Sequence, residues 1–427
     1  MEILKIGRLM PHYPRRSNLL ILAVVVAVLG LVGAACGGGA DRSPSKVASS
    51  RDVVAVDETT STTVPADAIA TTTASGAADT TVAPSTTTAA KIKGAATKIV
   101  TSTKKTTGTT TPPAPVTLRL GYFPNVTHAT AIVGVEGGIF KDALGNNPLE
   151  VSTFNAGPAA VEALFSDAID ATYVGPNPAI NGFVQSHGEA LRIISGATSG
   201  GAALVVRQGI NGPADLRGQK LATPQLGNTQ DVALRYWLKQ NGLSTDTNGG
   251  GDVRVMPQDN SQTLDTFKQG QIDGAWVPEP WVTRLVQEGN AKILLNEKDL
   301  WPDGQFVTTH LVVRTKFLDD HPEIVARLLE GQIRATAFVL DHPAESQALV
   351  DQGIKKITGK GIAPQVIQAA WANMTFTMDP IPSSLKASAG HAKELGLLDD
   401  VSLSGIYDLR LLNALLRFVG AKEVEGF

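Results

Sequence analysis

Thr223–Asp231 reads TPQLGNTQD. A threonine and proline leave an apolar segment, a glycine follows, and Asn228 and Thr229 then head a periodic stretch. These are the parts of an anion-holding helix start. Glycine lets the backbone come close to a ligand, and the first-turn amides of a helix have no partner inside it. The chain carries four more turns of this type: Gly121–His128 (GYFPNVTH), Asn155–Pro158 (NAGP), Gly175–Pro178 (GPNP) and Val277–Trp281 (VPEPW). Each taken alone also reads as ordinary helix capping; five in one chain favour a binding site.

The side chains at such turns are mostly neutral donors. Asn125, Asn177, Ser199, Asn228 and Thr229 supply amides and hydroxyls, while Gly157, Gly175, Gly200, Gln225 and Gly227 mark places where a ligand can approach. This set suits a sulfonate, a carboxylate or another small anion. The lack of an Arg/Lys cluster at the turns argues against a phosphate-heavy ligand such as a nucleotide. The aromatics Tyr122, Phe123, Trp276 and Trp281 have two readings, as cover for an apolar tail or as core; for Trp281, inside a helix, core packing is the better one. His128 reads equally as a donor to an anion and as a buried structural histidine. Glu279 either holds an amino group or caps the helix that follows it.

Catalytic patterns are missing. There is no G-x-S-x-G elbow, no H-E-x-x-H and no P-loop, and the seven histidines are scattered along the chain. The reading is therefore a binding protein and not an enzyme, with no cofactor and no metal. A formal net charge of -3 gives no reason to expect nucleic acid, and a single cysteine excludes an internal disulfide framework.

The elements that position these turns begin at Val116. Apolar, β-rich segments at Val116–Tyr122, Leu149–Phe154, Ala171–Val174, Leu191–Ser195, Ala203–Val206, Lys220–Ala222, Val253–Met256, Gly274–Val277, Lys292–Leu294 and His310–Val313 alternate with helical stretches. That alternation predicts an α/β fold of parallel sheets covered by helices. From His321 the pattern is mostly helical, over His321–Val339, Ala344–Gly353, Pro364–Trp371, Ser384–Leu395 and Asp408–Arg417. ALFSDAIDATYVGP at 163–176 and TFKQGQIDGAWVP at 266–278 repeat one arrangement. Each has a helix end, Ile-Asp, a short strand with an aromatic, and a proline turn. Asp170 and Asp273 are thus expected at equivalent turns, with Tyr173 and Trp276 on equivalent strands. Two similar lobes follow, with a cleft between them for a small ligand.

The first quarter differs from the rest. Lys5, Arg8, Arg15 and Arg16 precede an apolar run, Leu19–Val32, of roughly 14 residues, too short for the ~20 of a membrane span. Gly33, Ala34 and Ala35 lead to Cys36. This ending resembles the lipobox of bacterial lipoproteins, with Gly33 where leucine is preferred, and implies a signal peptide over 1–35 and lipidation of Cys36. An uncleaved N-terminal anchor is the alternative. Residues 36–115, rich in Thr, Ala, Ser and Pro, cannot bury enough surface to fold and read as a disordered, lipid-anchored stalk.

At the strand-end turns the chain resembles bacterial ABC-transporter solute-binding proteins of the aliphatic sulfonate, taurine and nitrate group. The resemblance spans about 116–416. It rests on GYFPNVTHA at 121–129, FNAGPAAVEALFSDAIDATYVGPNPA at 154–179, SGATSGGAALVVR at 195–207, PADLRGQKLATPQLGNTQ at 213–230 and IDGAWVPEPW at 272–281. It implies a two-lobed periplasmic-binding-protein fold of type II with a helical C-terminal part. One lobe would span about 116–204 and 309–427, the other about 205–308. It also implies ligand contacts from Asn125, Gly157, Gly175, Ser199, Gly227, Asn228, Thr229 and Trp276, and closure by rotation near Leu204–Arg207 and Thr308–Val313. The partners implied are a small-molecule anion, foremost an aliphatic sulfonate, the permease and ATPase subunits of an ABC importer, and the membrane through the lipid anchor; the state implied is a monomer. Nitrate, bicarbonate or a thiamine-precursor pyrimidine are the alternative solutes, and a secreted enzyme on the same fold is the alternative of another class. Pro176 replaces the aspartate of Gly-Asp in the family, and Glu279-Pro280-Trp281 replaces Asp-Pro-Tyr, which argues against taurine-type amine recognition.

Overall fold

The computed structural model describes residues 114–400 and 402–427, together with Ala95 and Lys98. The expected signal peptide, Cys36 and nearly all of the stalk lie outside the described residues.

The β-rich segments form two sheets. The first holds β1 (Leu118–Tyr122), β2 (Leu149–Thr153), β3 (Ala171–Val174), β4 (Leu191–Gly200), β10 (Val307–Arg314) and β11 (Met374–Phe376), in the order β11-β4-β10-β3-β1-β2. The second holds β5 (Ala202–Val206), β6 (Lys220–Thr223), β7 (Arg254–Pro257), β8 (Gly274–Pro278) and β9 (Lys292–Asn296), in the order β7-β6-β8-β5-β9. The run β2-β1-β3-β10-β4 matches β7-β6-β8-β5-β9 strand for strand: two parallel pairings, then two antiparallel ones. The parallel organisation expected from the sequence is thus corrected to a mixed one. β5 and β10 each enter their sheet from the other lobe, so they run against their neighbours.

The repeated Ile-Asp turns sit at equivalent places in these sheets. Leu120 pairs with Ala171 just after Asp170, and Leu221 pairs with Gly274 just after Asp273. Asp170 N donates to Arg119 O at 2.8 Å and Asp170 Oδ2 accepts from Arg119 N at 3.0 Å. Asp273 N donates to Lys220 O at 2.8 Å and Asp273 Oδ2 accepts from Lys220 N at 2.9 Å. The two Asp carbonyls accept from Arg314 N and Arg207 N respectively, both at 2.9 Å. One aspartate per lobe therefore splices a parallel strand to the strand that comes from the other lobe.

Helices cover both faces of each sheet. On one face of the first sheet pack α1 (Ala129–Glu136), α2 (Ile139–Leu144), α9 (Pro322–Asp341), α10 (Pro343–Thr358), α11 (Pro364–Trp371) and α13 (Arg410–Val419), around Leu120, Phe140, Leu311, Leu329 and Ile333. On the other pack α3 (Gly157–Phe165), α4 (Pro176–Gln185) and α12 (Pro382–Glu394), around Leu164, Phe183, Val312 and Leu385. The second sheet is covered by α5 (Thr229–Gln240) on one side and by α6 (Asn260–Lys268) and α7 (Trp281–Gly289) on the other. A short α8 (Thr315–Asp320) follows β10. Prolines open α3, α4, α9, α10, α11 and α12, where their missing N–H costs nothing.

The chain changes sheet twice. The first passage is Gly200–Gly201, with φ of 80° and 75°, a left-handed stretch that a side chain would strain. The second is the two 3-10 turns Glu297–Leu300 and Pro302–Gly304, ending at Val307. The crossovers expected near Leu204–Arg207 and Thr308–Val313 are corrected accordingly. Those residues lie largely within β5 and β10, which are hydrogen-bonded on both sides and so are poor places to bend. Ala202–Leu204 belong to the second sheet, and Val307 and Thr308 to the first.

Candidate functional site

Strand ends and helix starts from both sheets meet at a cavity of about 20 Å³. Phe123, Asn125, Thr127, His128, Asn155, Gly175, Thr308 and Thr309 line it from the first lobe, and Asn228, Thr229, Gln230, Asn260 and Pro278 from the second. The volume exceeds the ~10–15 Å³ that one water needs. It has room in this closed form for about one small polar molecule and not for a whole cofactor.

The second lobe presents two helix starts. Asn228 is the N-cap of α5, yet its side chain does not cap the helix; Nδ2 donates to Gln230 Oε1 at 3.1 Å. Thr229, the first helical residue, is 5% exposed, and its Oγ1 is buried without any hydrogen-bond partner among the described residues. Asn260 opens α6, is equally buried, and its Oδ1 also lacks a partner. Buried polar atoms are nearly always paired. Two orphans line one small cavity beside uncapped helix starts: the Thr229 hydroxyl can donate to a ligand, whereas Asn260 Oδ1 can only accept from one.

The turn beneath α5 is held from within. Asp231 Oδ1 accepts from Thr223 Oγ1 at 2.8 Å, and Oδ2 accepts from Gly227 N and from Arg235 Nε, both at 3.0 Å. Gly227 therefore shapes the loop and does not line the cavity.

The first lobe contributes neutral groups. His128 stacks on Phe123 with ring centroids 4.4 Å apart, and its Nδ1 accepts from Phe123 N at 3.3 Å. That bond assigns the proton to Nε2. Burial pushes the imidazole pKa down to about 3, so His128 is a neutral donor. Gly175, the N-cap of α4, lies against Thr229, and a Cβ there would overlap Thr229 Oγ1. Thr309 Oγ1 and Thr198 Oγ1 both donate to Thr127 O, at 3.2 and 2.7 Å, fixing the floor. Apart from the neutral His128, no basic or acidic side chain lines this inner cavity.

Further contacts tie the lobes together around it. Trp281 Nε1 donates to Asn125 Oδ1 at 2.9 Å, and Asn155 Nδ2 donates to Asp259 Oδ2 at 3.1 Å. On the far side of α5, Tyr236 stacks on His391 of α12 at 3.7 Å, and Lys239 Nζ donates to Glu394 O at 2.5 Å. The lobes are closed on each other in this structure. A second, larger space of about 480 Å³ opens outward from Asn155, between Thr153–Ala159 and Pro224, Gln225 and Pro257–Asp259.

Of the residues singled out by sequence, Phe123, Asn125, His128, Gly175, Asn228 and Thr229 line the inner cavity, and Gln225 lines the outer groove. Others are placed elsewhere. Gly157 packs against Pro178 and Asn228, Asn177 Nδ2 donates to Ser388 O at 3.2 Å, and Ser199 Oγ accepts from Phe306 N at 3.3 Å. Gly200 belongs to the sheet passage. Trp276 is fully buried in the core between β8 and α5, where Nε1 donates to Glu297 Oε2 at 2.7 Å. Glu279 is buried and already paired, to Thr283 N, Thr283 Oγ1 and Asn373 Nδ2; burial pushes its carboxyl up against these bonds. Trp281, read as core, is half-buried and bridges the lobes. Asn155 and Gln230 stood within the quoted turns without being picked, and Asn260 was missed altogether. Its signal was present in Met256–Asn260, MPQDN, another strand end that opens a helix, but without glycine.

Comparison with known proteins bears on the family and the fold. Residues 111–352 match the NMT1-like family. A putative binding protein of Brucella abortus is 26% identical over 244 residues, covering 56% of this chain and 72% of that protein. A putative aliphatic sulfonates-binding protein of Bacillus subtilis is 28% identical over 226 residues, 51% of this chain and 64% of that one. Among solved structures, the periplasmic nitrate-binding protein NrtA of Synechocystis superposes with a TM-score of 0.61 at 16% identity, covering 72% of this chain and 90% of that chain. The two-lobed architecture is the periplasmic-binding-protein fold.

Proposed function

The chain belongs to the NMT1-like family, and on that premise we propose that it is the extracytoplasmic solute-binding component of an ABC importer. It captures a small anion, an aliphatic sulfonate first, by closing two lobes around it. The observation that carries this reading is the inner cavity, with the Thr229 hydroxyl unpaired beside uncapped helix starts and no acidic side chain in its lining. Helix starts carry partial positive charge and free N–H groups, so an oxyanion is held without a formal cation.

The groups act in order. Solute reaches the open cleft and meets the turns of one lobe. Rotation about Gly200–Gly201 and the 297–306 passage then brings Thr229 onto Gly175 and Trp281 onto Asn125. Closure is favoured only by contacts that the solute makes to both lobes. The proposal includes export by the signal peptide, anchoring through Cys36, a monomeric state, and delivery to a permease driven by a separate ATPase.

A second solute class is favoured by one observation. The inner cavity is small and lined by neutral groups, which suits an inorganic oxyanion such as nitrate or bicarbonate as well as a sulfonate head. A thermal-shift screen of the purified protein against alkanesulfonates, nitrate, bicarbonate and pyrimidines separates the cases. A ligand at 100 times its Kd adds about 2.7 kcal/mol. A flat response to every anion sinks the anion-receptor reading.

A further inference from the structure

We propose that Asp259 is a specificity residue that takes the cationic group of a zwitterionic solute, one whose oxyanion occupies the inner cavity. The inference rests on the anion-receptor reading and narrows it. Among the residues lining the inner cavity and the outer groove, Asp259 is the only one with a formal charge at neutral pH. Its place, the N-cap of α6, has an ordinary explanation in helix capping, but the side chain makes no capping bond. It reaches across the cleft instead, to Asn155 at 3.1 Å, and no lysine, arginine or histidine among the described residues pairs with it.

Its position is at the throat between the two spaces. Asn155 lines both of them, and Asn260, the next residue along the chain, lines the inner one. Phe154, Pro224 and Pro257 wall the groove around it with apolar surface. A half-buried carboxylate there repels the oxyanion of a plain anion held by the helix starts. The repulsion turns to attraction when the solute brings its own cation, joined to the oxyanion by a short linker that passes the throat.

The test is calorimetric titration of the purified protein with matched pairs: ethanesulfonate against 2-aminoethanesulfonate, and propanesulfonate against 3-aminopropanesulfonate. In the native protein the amino member of a pair is expected to bind about 5- to 10-fold tighter, the worth of a partly exposed ion pair. Asp259→Asn, which keeps the size and the bond to Asn155, should bring the ratio to about one without weakening the plain sulfonate. Equal or tighter binding of the plain member in native protein overturns the assignment, as does a preference that survives Asp259→Asn. If no sulfonate of either series binds, this inference fails, while the anion-receptor reading itself falls only if nitrate and bicarbonate also leave the protein unchanged in the thermal-shift screen.

Discussion

Gly175 at the start of α4 touches Thr229 at the start of α5 so closely that no side chain fits between them. A methyl group on Gly175 would overlap Thr229 Oγ1 and lie 3.4 Å from the Thr308 carbonyl oxygen. The two residues belong to different lobes, so the contact exists only when the lobes are closed. Gly175 has φ of -71°, which alanine adopts without strain. Gly175→Ala should therefore fold normally and fail to close. We expect its melting temperature to stay within about 2 °C of native, with solute affinity down at least ~10-fold, a loss of ~1.4 kcal/mol. Small-angle scattering should show a more open molecule at saturating solute. Native-like affinity in this variant would mean that closure does not bring α4 onto α5.

Thr229→Ala separates binding from folding. The hydroxyl is buried and has no partner among the described residues, so its removal costs the fold little and relieves an unpaired polar group. A hydrogen bond to a charged ligand is worth about 1.5–3 kcal/mol. Titration calorimetry should thus show affinity reduced at least ~10-fold while thermal stability holds or rises slightly. A drop in stability with unchanged affinity would remove Thr229 from the site.

The pH dependence of binding tests the neutral character of the cavity. His128 has its pKa lowered by burial to about 3, against 6.5 for a free imidazole. Because the folded value is the lower one, the neutral form stabilises the protein above about pH 6.5, and that stability is lost as pH falls towards 3. Between pH 5 and 8 the bound imidazole stays uncharged, so solute affinity should change less than about 3-fold across that range. A rise in affinity below pH 6.5 would show that a His128 cation holds the anion.

Glu297 makes the opposite contribution to stability. This carboxyl, 1% exposed in the second sheet passage, is raised by burial from 4.5 to about 7, and it accepts a hydrogen bond from Trp276 Nε1 at 2.7 Å. A raised folded value means that the stabilisation is complete below pH 4.5 and is lost as pH rises to about 7. The loss is on the order of 3 kcal/mol. Glu297→Gln keeps the acceptor and removes the titration. Denaturant melts should show native protein losing stability relative to this variant between pH 4.5 and 7. Parallel curves would mean that Glu297 does not titrate in this window.

Most elements of the fold are visible in sequence because their causes are local. Strand–helix alternation, prolines at first helical turns and the twin Ile-Asp turns are all set by neighbours a few residues apart. The Asp170 and Asp273 equivalence is the strongest of these, since both aspartates splice the same pair of strands in their own lobe. The short strand β11 was not foreseen; three residues carry too little periodicity to stand out.

The residues of the site divide along the same line. That Asn228 and Thr229 open a helix, or that Gly175 precedes one, follows from sequence, because capping chemistry is local. Tertiary structure alone decided which of those helix starts face one another. Trp276 shows why: a strand's period of two places it opposite Ala275 and Val277, but nothing local says which face packs under α6 and α7 and which meets Trp237 on α5. Asp259 shows the same from the other side, as an ordinary N-cap in sequence that only its contact with Asn155, more than a hundred residues away, places at the throat of a binding cleft. A cleft between lobes is made of residues distant in sequence, and their distances are fixed only when the chain has crossed twice from one sheet to the other.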